Sequence, residues 1–332
     1  VQVSGREQRR FLVTGAGGFI GAHVVSALVH AGASVRALLR YNSRNDRGAL
    51  DWLEPEETAE VEVLLGDLRD AESVRKPMEG IDVVLHLGAQ IAIPYSYLNP
   101  RDFLETNVLG SLNVAQAALD AGVERVVHTS TSEVYGSAQT PMITERHPLE
   151  AQSPYAASKI GADQLMDSFH QSFDLPVTVL RPFNTYGPFQ SARAVIPTIV
   201  SQALAGGTLR LGSLHPRRDL TFVADTVAGF LAAASAPEAV GRTVQLGTGE
   251  DHSVGEVVEI VGELVGRELD VEVDDERVRP EKSEVQRLTS EPRLARELLG
   301  WTPRASLRDG LAKTIEWIDS NRGRYRLDEY VR

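Results

Sequence analysis

Phe11-Leu12-Val13-Thr14-Gly15-Ala16-Gly17-Gly18-Phe19-Ile20-Gly21-Ala22 decides the fold. A short apolar run enters a turn with glycine at 15, 18 and 21, and a helical pattern leaves it. The first glycine permits a tight turn, and the second lets backbone approach a pyrophosphate at the helix N-terminus. The third lets helix and strand pack closely. Such a turn also fits a plain strand–helix junction. Its place at the first such junction, with another strand following, points instead to dinucleotide binding. Gly15, Gly18, Phe19, Ile20 and Gly21 are the expected loop contacts.

Working outward, β-rich runs recur at Phe11–Thr14, Ser34–Leu39, Val61–Leu65, Val83–Leu87, Arg125–Ser130 and Val177–Leu180. Most are nearly continuous apolar segments, as expected of parallel strands buried on both faces. Amphipathic stretches lie between them. In Leu104–Leu119, the residues Leu104, Val108, Leu112, Ala115 and Leu119 form one stripe. The alternation predicts an α/β fold, a doubly wound parallel sheet of the Rossmann type. Beyond Gly187 the rhythm breaks at Pro188, Pro197, Gly206, Gly207, Gly212 and Pro216. We expect a dinucleotide-binding domain over 1–186, with segments returning near 220–255, and a smaller mixed α/β substrate lobe over 187–332. Helices are predicted at Val254–Val265, Pro292–Leu299 and Leu307–Arg322.

The 332 residues are 42% hydrophobic and 24% charged, which is globular composition with material for a large core. No apolar run reaches the roughly 20 residues a membrane span needs. Val1–Arg10 is polar, holds three arginines and lacks the apolar stretch of a signal peptide. It reads as a disordered lead-in, with a cytoplasmic address by default. The absence of cysteine excludes disulfides, thiolate metal sites and a cysteine nucleophile, and the eight histidines form no HExxH motif, so no metal is expected. A net charge of −12 argues against nucleic-acid or membrane partners.

An NAD enzyme usually carries an acid at the end of its second strand to hold the ribose diol. Here Leu39 and Arg40 stand there, and the next acid is Asp46. Arg40 suits a 2′-phosphate, which favours NADP over NAD; an exposed arginine covering the adenine face is the other reading. Asp67-Leu68 is placed to meet adenine, although Asp67 also fits a helix cap. Leu87 and Ala89, after the fourth run, complete the expected cofactor contacts.

Ser153-Pro154 opens a helix carrying Tyr155 and Lys159, four apart on one face. A tyrosine must drop by about 3 pKa units to act as a base near neutrality. A cation about 4 Å away at an effective dielectric near 20 supplies about 4 kcal/mol, so Lys159 and a nicotinamide charge suffice. Alone, this spacing more often marks a surface pair. Ser130-Thr131-Ser132-Glu133 follows an apolar run. If the chain stays extended, Thr131 and Glu133 point the same way; a polar strand end is the plainer reading. Asn107, inside an apolar helix, suits either a water for proton relay or simple helix packing.

Gly15, Gly18, Gly21, Asp67, Asn107, Thr131, Tyr155 and Lys159, in this order and spacing, resemble the extended short-chain dehydrogenase/reductases of the NAD-dependent epimerase/dehydratase family. Thr131-Ser132-Glu133 resembles the same triplet in GDP-mannose 4,6-dehydratases. Tyr41-Asn42-Ser43, Ile91–Tyr97, Arg181–Pro188 and Ser191–Pro197 resemble nucleotide-sugar 4,6-dehydratases of legionaminic acid pathways. The resemblance implies a tightly bound, recycled NAD(P) and a nucleotide-diphosphate sugar substrate. Thr131, Ser132, Glu133, Tyr155, Lys159 and Asn107 would be the catalytic set. Substrate contacts would come from Asn184, Arg193, Val195, Arg218 and Arg279, and a homodimer would form through the helices of Asn107 and Tyr155. A 4-epimerase and an NDP-glucuronate decarboxylase are the rival outcomes, and a non-catalytic dinucleotide-binding protein is a third.

Overall fold

The computed structural model describes residues 9–278 and 283–325. Its strands, in chain order, are β1 (Arg10–Thr14), β2 (Ser34–Leu39), β3 (Glu62–Leu65), β4 (Val83–His86), β5 (Arg125–Thr129), β6 (Val177–Pro182) and β7 (Asn184–Tyr186). There follow β8 (Leu209–Leu211), β9 (Arg217–Phe222), β10 (Arg242–Leu246), β11 (Asp251–Ser253), β12 (Val271–Val273) and β13 (Arg287–Leu288). Seven of them form one sheet in the order β10-β6-β5-β4-β1-β2-β3, and every pairing in it is parallel. The doubly wound sheet expected from the alternation is therefore present.

Both faces of this sheet are covered, which is why its strands are rich in apolar residues. Phe11 and Val13 of β1 pack with the helices Phe19–His30 and Val223–Ser235. Leu12, between them, turns to the other layer and meets Val114, Ala118 and Met166. β10 arrives late in the chain yet pairs with β6, from Arg242 opposite Thr178 to Leu246 opposite Pro182. The helix Val223–Ser235 leads into it, so the chain after β9 returns to the large sheet. The smaller part holds a mixed sheet in which β9 pairs with β7, β11 and β13, and a separate β8–β12 pair. Among the described residues, no helix is long and apolar enough to cross a membrane, and no cluster of side chains could hold a metal ion.

Three details differ from the sequence expectations. Arg10 already opens β1, its N–H donating to Asp82 Oδ2 at 2.7 Å, so the lead-in is shorter than expected; residues 1–8 lie outside the described residues. The predicted stripe on 104–119 is also displaced. Leu104–Leu109 winds as a π-helix before Gly110–Ala121, and the buried face runs through Asn107, Ser111, Val114 and Ala118 while Leu104 and Leu109 are exposed. Polar Asn107 and Ser111 are inside because each finds hydrogen-bond partners there, which apolarity alone does not reveal. Finally, Ser132–Tyr135 is a 3-10 turn rather than extended chain.

Candidate active site

The strand order reverses between β1 and β4, where a doubly wound sheet opens a crevice at its carboxyl ends. A cavity of about 810 Å³ lies there, walled by the glycine loop, the ends of β4 and β5, and the Thr131–Glu133 turn. Gly15 has φ +69°, and a Cβ on it would lie 2.7 Å from the Gly88 nitrogen. A Cβ on Gly21 would lie 2.2 Å from the Gly15 carbonyl oxygen. The loop thus needs glycine at both positions, for backbone shape and for close packing. Gly18 is the N-cap of Phe19–His30 and offers no side chain, and no acid occupies the first turn. The unsatisfied N–H groups there, with the helix dipole, suit a pyrophosphate.

A dinucleotide is the group this architecture implies, and the wall fits one. Gly15, Gly18, Phe19, Ile20 and Gly21 line one end. Arg40, Asp67, Leu68, Leu87 and Ala89 line the cavity as well. Thr129 Oγ1, Asn184 Oδ1 and Gln190 Oε1 are buried without a hydrogen-bond partner and all three residues line the cavity, as acceptors awaiting a ligand would. Asp67 does not cap the next helix; Asp70 does, accepting from Glu72 N–H at 3.2 Å. Asp67 instead holds Arg69 in a bidentate pair at 2.6 and 3.0 Å, which keeps its carboxyl below the usual range.

Sequence reasoning missed the loop 41–48, which folds over the glycine turn. Ala49 N–H donates to the Gly17 carbonyl at 2.8 Å, and Asn42 Oδ1 accepts from the Arg44 and Asp46 N–H groups, both at 3.1 Å. Arg44 and Arg47 thereby join Arg40 in the cavity wall. The Asn42-to-Gly48 turn residues were the available signal.

At the reaction end, Ser153 caps the helix Pro154–Phe173 through Ala156 N–H at 3.1 Å, with Pro154 at the first helical position. That fixes where Tyr155 and Lys159 emerge. Both are buried, at 8% and 4% exposure, so they are not a surface pair. Thr131 accepts the Glu133 N–H at 3.2 Å, capping the 3-10 turn, and lies close enough to Tyr155 to influence its phenol. Thr131, Ser132, Glu133 and Tyr155 all line the cavity. The turn thus gathers Thr131 and Glu133 by winding, not by strand alternation. Burial pushes the Tyr155 phenol above its ordinary value, Thr131 draws it back, and the charges of Glu133 and Asp163 push it up again.

Lys159 points its ammonium at the Thr129 carbonyl, so the direct Tyr155–Lys159 pairing suggested by their spacing gives way to a contact with the strand. Asn107 is absent from the cavity wall. Its Oδ1 accepts from Gln90 N–H at 2.8 Å, and its Nδ2 donates to Gln90 O at 2.9 Å and Ser158 Oγ at 2.8 Å. It pins the loop after β4 to the Tyr155 helix. Of the expected substrate contacts, Asn184 reaches the wall. Arg193 and Val195 are exposed outside it. Arg218, on β9, donates to Glu284 Oε1 at 3.2 Å, and neighbouring Arg217 pairs with Asp251 and Glu256 rather than Asp219. Arg279 lies outside the described residues.

Burial pulls the Lys159 ammonium down to about 8 from an ordinary 10.5, with Asp163 opposing. A base held below its unfolded value carries a penalty that is full below the folded pKa. It shrinks between about 8 and 10.5 and is gone above that. The shift corresponds to about 3 kcal/mol, of which the Thr129 hydrogen bond returns about 1 kcal/mol. Lys159→Met is therefore expected to be inactive yet about 2 kcal/mol more stable at pH 7 in urea unfolding. Its advantage should narrow as pH rises through that window. A variant no more stable than the parent at pH 7 would contradict the assignment of a buried charged lysine.

The profile of the family described as GDP-mannose 4,6 dehydratase matches residues 12–314. UDP-glucose 4-epimerase of Mycolicibacterium smegmatis is 33% identical over 93% of this chain and 98% of its own length. The dTDP-D-glucose 4,6-dehydratase of Mus musculus is 31% identical over 94% of this chain and 89% of its own. Among solved structures, DesIV, a dTDP-glucose 4,6-dehydratase from Streptomyces venezuelae with NAD bound, superposes with a TM-score of 0.85. It is 32% identical, covering 95% of this chain and 98% of that one. With a parallel seven-stranded sheet, a glycine-lined crevice and a buried Tyr155 in its wall, the chain belongs to the GDP-mannose 4,6 dehydratase family, within the NAD-dependent nucleotide-sugar epimerases and dehydratases of the extended short-chain dehydrogenase/reductase type.

Proposed function

We propose that this protein is a nucleotide-sugar 4,6-dehydratase, converting a nucleotide-diphosphate hexose to its 4-keto-6-deoxy form with loss of water. The observation that carries this reading is Glu133. Its carboxylate lines the same cavity as Thr131 and Tyr155, and its charge acts on the Tyr155 phenol. Tyr155 takes the proton of the sugar 4-hydroxyl, while Thr131 hydrogen-bonds that oxygen and Lys159 holds positive charge behind it. A bound nicotinamide would supply the hydride acceptor for oxidation at C4 and the hydride donor for reduction at C6. Once C4 is a ketone the C5 proton is acidic. Glu133 removes it and passes a proton to the departing 6-hydroxyl, which leaves as water. Ser132 lies between the two and lines the pocket.

The rival reading is a 4-epimerase, which the Mycolicibacterium relative keeps in view; such a reaction needs no carboxylate at C5. A panel of nucleotide sugars incubated in D₂O and read by mass spectrometry separates them. Loss of water with uptake of deuterium is the expected result. A new isomer of unchanged mass would establish the epimerase.

NADP is the cofactor form we favour. Arg40, Arg44 and Arg47 all line the cavity, and Leu39 and Arg40 stand where an NAD enzyme usually carries its ribose-binding acid. Arg44 and Arg47 have acidic partners in Asp46 and Asp51, which leaves Arg40 as the principal phosphate ligand. Charged hydrogen bonds contribute about 1.5–3 kcal/mol, so Arg40→Ala should weaken NADP binding by about 10- to 100-fold and NAD binding far less. Calorimetric titration of cofactor-stripped protein checks this; unchanged NADP affinity would end the argument. A homodimer is supported by Leu104 and Leu109, exposed on the helical segment whose inner face carries Asn107. We take residues 1–186, with the returning β10 segment, as the dinucleotide-binding domain and the remainder of 187–332 as the substrate lobe.

A further inference from the structure

Beneath the reaction centre lies a carboxylate that none of the steps above employs. Asp163 is one helical turn beyond Lys159 on Pro154–Phe173 and is 3% exposed. Its Oδ2 accepts from Ser130 Oγ at 2.7 Å and from Arg181 Nε and Nη2 at 3.1 and 2.9 Å. Its Oδ1 lies 3.4 Å from His128 Nε2. Ser130 immediately precedes Thr131. Arg181, on β6, also donates to the Tyr135 hydroxyl at 3.2 Å, and Tyr135 closes the 3-10 turn that carries Glu133. One side chain therefore joins the helix of Tyr155 and Lys159 to both ends of the segment that carries Thr131 and Glu133.

We propose that Asp163 is a positioning residue, a fixed buried anion that holds the two halves of the catalytic set in register one helical turn from Lys159. The proposal rests on Tyr155 and Lys159 serving the redox step. The surroundings leave this role to Asp163. Lys159 is faced by His86 from β4 and His128 from β5, and burial lowers both below their ordinary value, so neither supplies charge at neutral pH. Asp163 itself is faced by His128, Arg181 and Ser130, which keep it ionised against the cost of burial. Asp167 stands one turn further along the same helix, and its carboxyl is raised by burial and by Asp163. Tyr135 reaches Asp163 only through Arg181. Arg181 balances part of the Asp163 charge, which places the expected effect at the low end for a nearby opposite charge.

The test is the pH profile of single-turnover reduced-nicotinamide absorbance, in cofactor-loaded enzyme with a nucleotide sugar the parent turns over. Asp163→Asn keeps an acceptor for Ser130 and removes the anion. Losing a negative charge lowers the pKa of both Tyr155 and Lys159, so both limbs should move to lower pH by about one unit, with a reduced maximum. Limbs that stay in place while the maximum falls would mean that Asp163 only packs, and would overturn the proposal. Should circular dichroism show that Asp163→Asn does not fold, Asp163→Glu carries the test. With charge kept and geometry lengthened, the maximum should fall and the limbs stay; displaced limbs there would overturn it. A parent enzyme that produces no absorbance change with any nucleotide sugar would fail the functional reading itself, a distinct outcome.

Discussion

Tyr155→Phe is expected to lose turnover of every nucleotide sugar by about 10² to 10⁴-fold, the range of a general base, while fold and cofactor content persist. The substitution removes one hydroxyl from a ring that is held by its surroundings. The Tyr155 ring meets Phe103 edge-on at 6.2 Å between centroids, within a small cluster that includes Ile93 and Tyr95. Thr131 keeps its contact with Glu133 N–H after the change, so the 3-10 turn retains its cap. Both the oxidation and any later step depend on the 4-ketone, so dehydration and epimerisation should vanish together. Product chromatography, with acid release of bound dinucleotide as the control, reads the result. Turnover within tenfold of the parent would remove Tyr155 from its role as base.

Glu133→Gln is expected to divide the reaction. Glutamine keeps the shape and most hydrogen bonding of glutamate but has no basicity. Oxidation at C4 uses Tyr155, Thr131 and Lys159, so reduced-nicotinamide absorbance should still appear in a single turnover and then persist. Water loss should fall by at least about 10²-fold, and exchange of the C5 proton with D₂O should fall with it. In a 4-epimerase, Glu133 would only line the pocket, and the variant would retain most of its activity. Unchanged formation of product in Glu133→Gln would overturn the dehydratase reading and promote the epimerase.

The large sheet was legible because burial on both faces leaves a clear mark. Runs such as Ser34–Leu39 and Val83–His86 are mostly apolar, broken only by Ser34, Arg36 and His86, and glycines at 15, 18 and 21 mark the crossing into the first helix. β10 was less visible. Arg242 and Thr243 begin it in partly open positions, and its partner β6, Val177–Pro182, pairs with it at an offset of 64 residues, so only tertiary pairing reveals it. The glycine-loop residues, Arg40, Asp67 and Thr131–Glu133 meet in one cavity as motif spacing suggested, because local turns position them. Arg193 and Val195 stand apart from that cavity, since their contacts depend on how a long connection folds across the smaller lobe. Asp163 was illegible for another reason. A lone acid on an amphipathic helix reads as solvated surface until His128 and Ser130, on and just after β5, and Arg181 on β6 close around it.

The central claim is that hydride removed from C4 reappears at C6. It is tested most directly with a nucleotide hexose deuterated at C4, turned over by the parent enzyme and analysed by NMR. A 4,6-dehydratase built on Tyr155 and Glu133 should yield a 4-keto-6-deoxy product with the deuterium in its new methyl group. Deuterium back at C4 of a sugar that still carries its 6-hydroxyl would contradict the account.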